Sequence, residues 1–164
     1  MKIWLTTDTH FYHSKMLEYE YRPKDFNEKI FKGLMEIPED SMLIHLGDLC
    51  IGRDLEVMET FIRPLRCKKV LIRGNHDKKS IDWYIRNGFD SVFDMMWLNA
   101  FNKKILFSHK PQEDIGYDVN IHGHCHSKKR KLEFEPMMND KQKLLALEST
   151  NYQPVKLETF LNSK

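Results

Sequence analysis

The sequence predicts an α/β fold built as a single domain over residues 1–164. Short apolar runs typical of β-strands alternate with apolar residues at helical spacing. Polar turns rich in Asp, Asn and His follow directly after most of these runs, which is where α/β sheets hold their sites. The composition, 41% hydrophobic and 30% charged, is that of a globular chain with a substantial core.

In the first half of the chain, strands are expected at residues 2–7, 42–46 and 70–72. Helical spacing predicts a helix at 26–37, ended by Pro38, and another at 80–86, stopped by Gly88. Between them, Asp54 is a candidate N-cap for a helix that ends before Pro64. The inner face of that helix is predicted to carry Leu55, Met58 and Ile62.

Strands dominate the second half. Runs at 92–93, 96–98 and 104–107 predict a meander or hairpin, and 119–122 a further short strand. Residues 128–140 are charged and irregular, as in a loop or ragged hairpin. A final strand at 144–147 and a closing helix at 154–161 complete the prediction.

The charge and cysteine content limit the classes of function that the chain can have. The formal net charge of +2 gives no general field to favour nucleic acid or membranes. No apolar run approaches the ~20 residues of a membrane span, and residues 1–8 show no signal pattern. Cys50, Cys67 and Cys125 are expected to be free thiols. Together these features predict a cytoplasmic protein.

Five islands of metal-binding residue types contain five of the eight histidines. In order they are Asp8-Thr9-His10, Gly47-Asp48, Gly74-Asn75-His76-Asp77, Ser108-His109 and Gly123-His124-Cys125-His126. One ion would not use so many ligands. Two ions that share a carboxylate, about 3.5–4 Å apart, would use them, and such pairs hydrolyse phosphoesters.

Each island offers a distinct ligand. Asp8 and His10 are two residues apart, so on an extended chain they project to the same side. Asp48 is the natural bridge, because its two oxygens can each bind one ion. Asn75 offers an amide oxygen. Imidazoles come from His109, His124 and His126, and glycines at 47, 74 and 123 permit sharp turns and close approach.

This ordered set, spread over residues 1–126, resembles the calcineurin-like metallophosphoesterase superfamily, in particular its small uncapped bacterial or phage-type members. The resemblance implies a four-layer αββα sandwich of two mixed β-sheets flanked by helices, with a dimetal site at one edge. It assigns Asp8, His10, Asp48 and His126 to one ion, and Asp48, Asn75, His109 and His124 to the other. His76 would lie beside the phosphate, and Asp77 would orient its ring.

The mechanism implied is attack on phosphorus by a metal-bridging hydroxide, with His76 as general acid or as a stabiliser of phosphoryl charge. Mixed nitrogen and oxygen ligands accept Mn, Fe, Zn or Ni, of which Mn is favoured. Candidate substrate-binding residues are His13, Arg22, Arg53 and Lys110. His45 and His122 are interpreted as structural or supporting residues behind the ligands.

The predicted function is a phosphodiesterase that acts on a nucleotide or nucleic-acid-type phosphoester. A broad phosphomonoesterase or a phosphoprotein phosphatase is the alternative. Phe11 stands where protein phosphatases carry glycine, and Arg53 comes one residue late, which argues against the latter. A non-catalytic interaction scaffold is a second alternative, opposed by the intact set of ligands. Substrate choice is expected to lie in loops 11–25 and 127–141, where the basic run 128–131 is either a solvated loop or a site for a polyanion.

Overall fold

The computed structural model describes residues 1–126 and 139–163. Within these residues, two mixed parallel and antiparallel sheets are flanked by helices, as the family resemblance implies. No helix in the described part of the chain is long and apolar enough to cross a membrane.

The first sheet has five strands in the order β4-β3-β2-β1-β9. They are β1 (Ile3–Thr6), β2 (Met42–His45), β3 (Lys68–Ile72), β4 (Ser91–Phe93) and β9 (Val155–Lys156). The first four run parallel, and β9 is antiparallel to β1. Parallel strands β1, β2 and β3 therefore all end at the same edge of the sheet.

The second sheet has four strands in the order β5-β6-β7-β8. They are β5 (Met95–Ala100), β6 (Lys103–Ser108), β7 (Val119–His122) and β8 (Gln142–Leu144). The β5–β6 hairpin is antiparallel, whereas β6, β7 and β8 are parallel. The meander or hairpin predicted over 92–107 is confirmed for the β5–β6 hairpin. It is wrong for β4, which belongs to the first sheet, because the chain changes sheets at Asp94.

Five α-helices are described: α1 (Met16–Tyr19), α2 (Phe26–Met35), α3 (Asp54–Val57), α4 (Ile81–Asn87) and α5 (Leu157–Asn162). A short 3-10 helix spans Leu147–Ser149. The predicted ends of α4 are explained by its caps. Ser80 accepts a hydrogen bond from the Trp83 N–H, and Gly88 ends the helix at φ 137°.

The helix predicted after Asp54 differs in two ways. Arg53, in the left-handed conformation, is the N-cap, and α3 passes into a π-helix at Met58–Ile62. A π-turn brings residues five apart to one face, so Val57 and Ile62 are both buried. Leu55, expected on the inner face, is 50% exposed.

Near the carboxyl terminus, the strand predicted at 144–147 is found instead at Gln142–Leu144, as β8, and Leu147 begins the 3-10 helix. The helix predicted at 154–161 divides into β9 and α5. Most of the stretch predicted as loop or ragged hairpin at 128–140 lies outside the described residues.

Two apolar clusters hold these layers together. One joins the two sheets and includes Leu5 and Ile44 from the first and Phe107 and Ile121 from the second. The other joins helices α2, α3 and α4 to the outer face of the first sheet. Here the rings of Phe11 and Phe61 stack at 4.0 Å. The packed sheets fix the relative positions of the turns that follow β1, β2, β3, β6 and β7.

Candidate metal centre

The five polar islands meet at the carboxyl ends of parallel strands from both sheets. The Asp8 N–H donates to the Gly47 carbonyl at 2.8 Å, and the His10 N–H donates to the Asp48 carbonyl at 3.1 Å. The ring of His109, after β6, contacts the Leu46 carbonyl through Nδ1 at 2.7 Å. These bonds join the turns to one another across the sheet boundary.

One cluster of ligand atoms contains Asp8, His10 and His126, all buried. The Nε2 atoms of His10 and His126 are 3.2 Å apart. Asp8 Oδ1 lies 3.5 Å from His126 Nε2 and 4.0 Å from His10 Nε2. The other oxygen of Asp8 accepts the Thr7 hydroxyl at 2.6 Å and the His124 N–H at 2.9 Å. The carboxylate is therefore oriented with Oδ1 toward the imidazoles.

The second cluster contains Asp48, His109 and His124, with Asn75 beside them. His109 Nε2 lies 3.0 Å from His124 Nδ1, 3.0 Å from Asn75 Oδ1 and 3.4 Å from Asp48 Oδ2. Carboxylate, amide and imidazole atoms thus converge on one point. All four residues were predicted as ligands.

Asp48 lies between the clusters, but it faces them with one oxygen. Oδ2 is 3.4 Å from His109 Nε2 and 3.8 Å from His10 Nε2. Oδ1 instead accepts the backbone N–H of His76 at 2.8 Å. The sequence-based expectation was one oxygen for each ion. The geometry offers Oδ2 to both, because the Gly74–Asp77 turn already uses Oδ1.

These donor sets fit two divalent cations. Ligands about 2.0–2.2 Å from one ion lie roughly 3.0–3.5 Å apart, close to the spacings within each cluster. Asp8 Oδ1 is buried with no hydrogen-bond partner among the described residues, and an unpaired buried acceptor is costly. The mixture of imidazole nitrogen with carboxylate and amide oxygen suits first-row transition metals.

Electrostatics at the second cluster favour positive charge. Burial lowers the pKa of His109, but the hydrogen bond with Asp48 and the charge of Asp8 outweigh it and raise the pKa to about 9. Burial opposes the charged form of Asp48, and the bonds from His109 and the His76 backbone reverse that effect and lower its pKa. The carboxylates that favour a proton on His109 favour a divalent cation there for the same reason.

Most of the candidate ligands adopt backbone conformations that residues with side chains seldom take. Positive φ angles occur at Asp8 (47°), His10 (45°), Asp48 (57°), His124 (65°) and His126 (35°). The expectation that Asp8 and His10 share a side because the chain is extended is therefore wrong. β1 ends at Thr6, and left-handed turns orient both residues. Strained conformations of this kind concentrate at functional sites.

Two glycines permit close approach of the islands. A Cβ on Gly74 would collide with the backbone and carboxylate of Asp48, and one on Gly123 with the side chains of Thr7 and Asp8. Gly47 has a φ of 94°. These positions require glycine, as predicted for 47, 74 and 123.

The ring of His76 stands at the mouth of the centre. Its side chain is 39% exposed, and Nε2 is 3.9 Å from Asp48 Oδ2. Asp77 was expected to orient this ring, but its hydrogen bonds go to the backbone. It accepts the N–H groups of Asp48, Leu49 and Gly74 at 2.7–3.0 Å. Asp77 thus holds the Asp48 and Gly74 turns together, which fixes His76 only indirectly.

Arg22 was expected to bind substrate, and the structure contradicts this. Its side chain is completely buried. It donates to the carbonyls of Asp8 and Thr9 at 2.8 Å and to Glu148 at 2.7–2.8 Å. The guanidinium is used entirely within the protein, because the loop that carries it folds beneath the Asp8 turn.

Sequence reasoning missed Glu148, which lies on the far side of His126. Its Oε1 is 3.4 Å from His126 Nδ1. Glu148 is 22 residues beyond His126 and belongs to no motif, so only the fold brings the two together. A carboxylate contact opposite the ligand nitrogen of a histidine is common at metal sites.

Of the remaining predicted substrate residues, His13 and Lys110 lie beside the centre. The ring of His13 is 5.9 Å from that of His10, and burial followed by the charge of His76 lowers its pKa. Lys110 shares an open cleft of about 270 Å³ with Asn75 and His109. Arg53 is largely exposed and lies over the ring of Tyr12 at 5.2 Å.

His45 and His122 are fully buried, which agrees with their interpretation as structural or supporting residues. His45 contacts Thr9 and Gly47, so it braces two of the ligand turns. Cys50, Cys67 and Cys125 are buried thiols rather than disulfides. The basic run 128–131, and most of the loop 127–141 expected to choose substrate, lie outside the described residues.

Comparison with known proteins agrees with this architecture. An uncharacterised protein of Methanocaldococcus jannaschii, MJ1445, is 31% identical over 96% of this chain and 88% of its own length. A crystal structure of AQ665, a protein of unknown function from Aquifex aeolicus, superposes with a TM-score of 0.75 and 23% identity over 96% of both chains, which shows a shared fold. The calcineurin-like phosphoesterase family profile matches residues 1–161. The chain therefore belongs to the calcineurin-like phosphoesterase family and is a metal-dependent phosphoesterase.

Proposed function

We propose that this chain hydrolyses phosphodiesters of the nucleotide or nucleic-acid type with two divalent ions, of which Mn²⁺ is favoured. The observation that carries the proposal is the single oxygen, Asp48 Oδ2, within 4 Å of imidazole nitrogens from both ligand clusters. Asp8, His10, Asp48 and His126 would hold one ion, and Asp48, Asn75, His109 and His124 the other. When bound, such ions supply a water of lowered pKa and neutralise phosphoryl charge.

His76 is the proposed general acid. Its backbone N–H is tied to Asp48 Oδ1 at 2.8 Å, and its ring is partly exposed within 4 Å of Asp48 Oδ2. A proton on Nε2 can therefore be given to a leaving oxygen or shared with a phosphoryl oxygen. An alcohol leaving group has a high pKa and depends on such a proton, and the sugar hydroxyl of a nucleotide-type ester is a leaving group of this kind.

Two side chains flank the approach to this centre. Lys110 lines the cleft beside Asn75 and His109 and supplies a point charge for a phosphate group. His13, whose lowered pKa keeps it neutral near pH 7, is suited to hydrogen bonding rather than charge pairing. Arg53, which is largely exposed and rests on Tyr12, is the proposed contact for a second part of a longer substrate.

We further propose that residues 1–164 act as one domain in the cytoplasm. The apolar cluster shared by the two sheets supports the first statement. Three buried thiols without a disulfide support the second, since such thiols are typical of reducing compartments.

The test compares a chromogenic phosphodiester with the matching monoester in added Mn²⁺, alongside metal analysis of each protein. We expect turnover that is faster on the diester. Asp48→Asn should lose both ions and all turnover, whereas His76→Ala should keep its ions and lose ~10²–10⁴ in rate.

Faster monoester turnover would favour the phosphomonoesterase alternative. Two bound ions without turnover on either ester would favour a scaffold. Loss of metal in His76→Ala would refute its role as the acid.

A further inference from the structure

The two ligand clusters are supported from behind in different ways. In the second cluster, His109 Nδ1 contacts the backbone carbonyl of Leu46 at 2.7 Å. In the first, His126 Nδ1 contacts the carboxylate of Glu148 at 3.4 Å. A carbonyl is a neutral partner, and a carboxylate is a charged one. The imidazole of His126 is therefore made more basic than a carbonyl contact would make it.

Glu148 is positioned to decide which nitrogen of His126 carries a proton. Its Oε1 can only accept, so a proton is held on Nδ1. In the neutral ring the lone pair then lies on Nε2, the atom that faces His10 Nε2 at 3.2 Å and Asp8 Oδ1 at 3.5 Å. The carboxylate thus presents His126 to the cluster in the form that binds a cation.

Arg22 holds the carboxylate of Glu148 in place. Its Nε and Nη2 donate to Oε1 at 2.8 and 2.7 Å, while Nη1 and Nη2 donate to the carbonyls of Thr9 and Asp8. The same oxygen, Oε1, therefore receives two contacts from Arg22 and one from His126 Nδ1. One guanidinium therefore ties the support of His126 to the turn that carries Asp8 and His10.

We propose that Glu148 and Arg22 are positioning residues that set the cation affinity of the Asp8–His10–His126 cluster and leave the Asp48–Asn75–His109–His124 cluster almost unaffected. This inference rests on the ligand assignment in the proposed function. Neither residue faces the substrate, since the side chain of Arg22 is fully buried and Glu148 contacts His126 on the side away from the other ligands. Their effect is on the order and strength of metal loading.

Calorimetric titration of the metal-free protein with Mn²⁺ tests this. Wild type is expected to bind two ions. Glu148→Gln preserves shape and removes the charge, and we expect one dissociation constant to rise ~10–100-fold while the other is unchanged. Arg22→Lys, which keeps a charge but loses the forked contacts, should weaken the same site. Glu158→Gln, an exposed change of equal charge, should alter neither constant.

A second measurement does not depend on any variant. In ¹⁵N-histidine spectra of the metal-free wild type at pH 7, His126 should carry its proton on Nδ1, and an unprotonated Nδ1 would overturn the inference. Equal constants for wild type and Glu148→Gln, or an equal rise at both sites, would also overturn it. Failure of wild type to bind two ions would instead overturn the proposed function.

Discussion

The buried histidine His45 should make this protein sensitive to mild acid. Its Nδ1 accepts the Gly47 N–H at 3.1 Å, and its Nε2 contacts the Thr9 hydroxyl at 3.1 Å. That hydroxyl donates onward to the Leu49 carbonyl, so Nε2–H is the donor and the ring is neutral. Protonation of Nδ1 would place a second N–H against the Gly47 N–H, so the folded protein opposes it. Burial lowers the pKa of His45 from 6.5 to about 3, although the charge of Asp48 opposes the shift.

The magnitude follows from proton linkage. The unfolded chain takes up a proton at His45 near pH 6.5, and the folded protein does not until about pH 3. Stability is therefore complete above pH 6.5 and is lost as the pH falls toward 3. Between pH 7 and 5 this one group should reduce the free energy of unfolding by about 2 kcal/mol, with a slope approaching 1.4 kcal/mol per pH unit.

The assay is urea denaturation of the metal-free protein at pH 7, 6 and 5, comparing wild type with His45→Gln. Glutamine does not titrate, so the variant should lose less stability with falling pH, whatever its stability at pH 7. The difference between the two slopes isolates His45 because the other histidines are common to both proteins. Parallel slopes would refute the claim that His45 is held neutral.

Three further changes separate binding, metal loading and packing. Lys110→Ala should raise KM about tenfold, the effect of ~1.4 kcal/mol, with kcat nearly unchanged in steady-state assays; an equal loss in kcat would contradict a role in binding alone, and the exposed Arg86→Ala is the control. Gly123→Ala should displace the Asp8 carboxylate, so metal analysis should find about one ion per chain, and two retained ions would disprove the close-approach argument. Phe61→Ala removes the ring stacked on Phe11 at 4.0 Å and should cost ~3–5 kcal/mol in urea denaturation, whereas a loss below about 1 kcal/mol would show that the site collapses to fill the space.

Local rules were sufficient where an element depended on its own residues. The two ends of α4 could be predicted, because the Ser80 cap and the Gly88 stop each act within one helical turn. The same rules failed at Leu55, since the change from α-helix to π-helix at Met58 rotated the buried face. They also failed at the β4–β5 boundary. Strands form on both sides of Asp94, and only packing decides that the chain changes sheets there.

The candidate site divides in a similar way. The ligand types could be predicted from the islands, because an ordered set of Asp, Asn and His residues after successive strands is typical of a metal site. The roles of Arg22 and Asp77 could not. Both are charged residues near motifs, yet Arg22 is buried against Glu148 and two carbonyls. Asp77 binds backbone N–H groups of two turns. The burial of a charged side chain and the identity of its partners depend on the tertiary structure, and they cannot be predicted from the residue type alone.

The sequence by itself determined the strand–turn order, the chemical kinds of ligand and the family resemblance. Each of these depends on residue type and spacing along the chain. The tertiary structure alone decided that Asp48 faces both clusters with one oxygen. It also decided that Asp8 and His10 meet through left-handed turns and that Glu148 lies behind His126. These features depend on contacts between segments far apart in the chain, and their energies arise only when the two sheets pack.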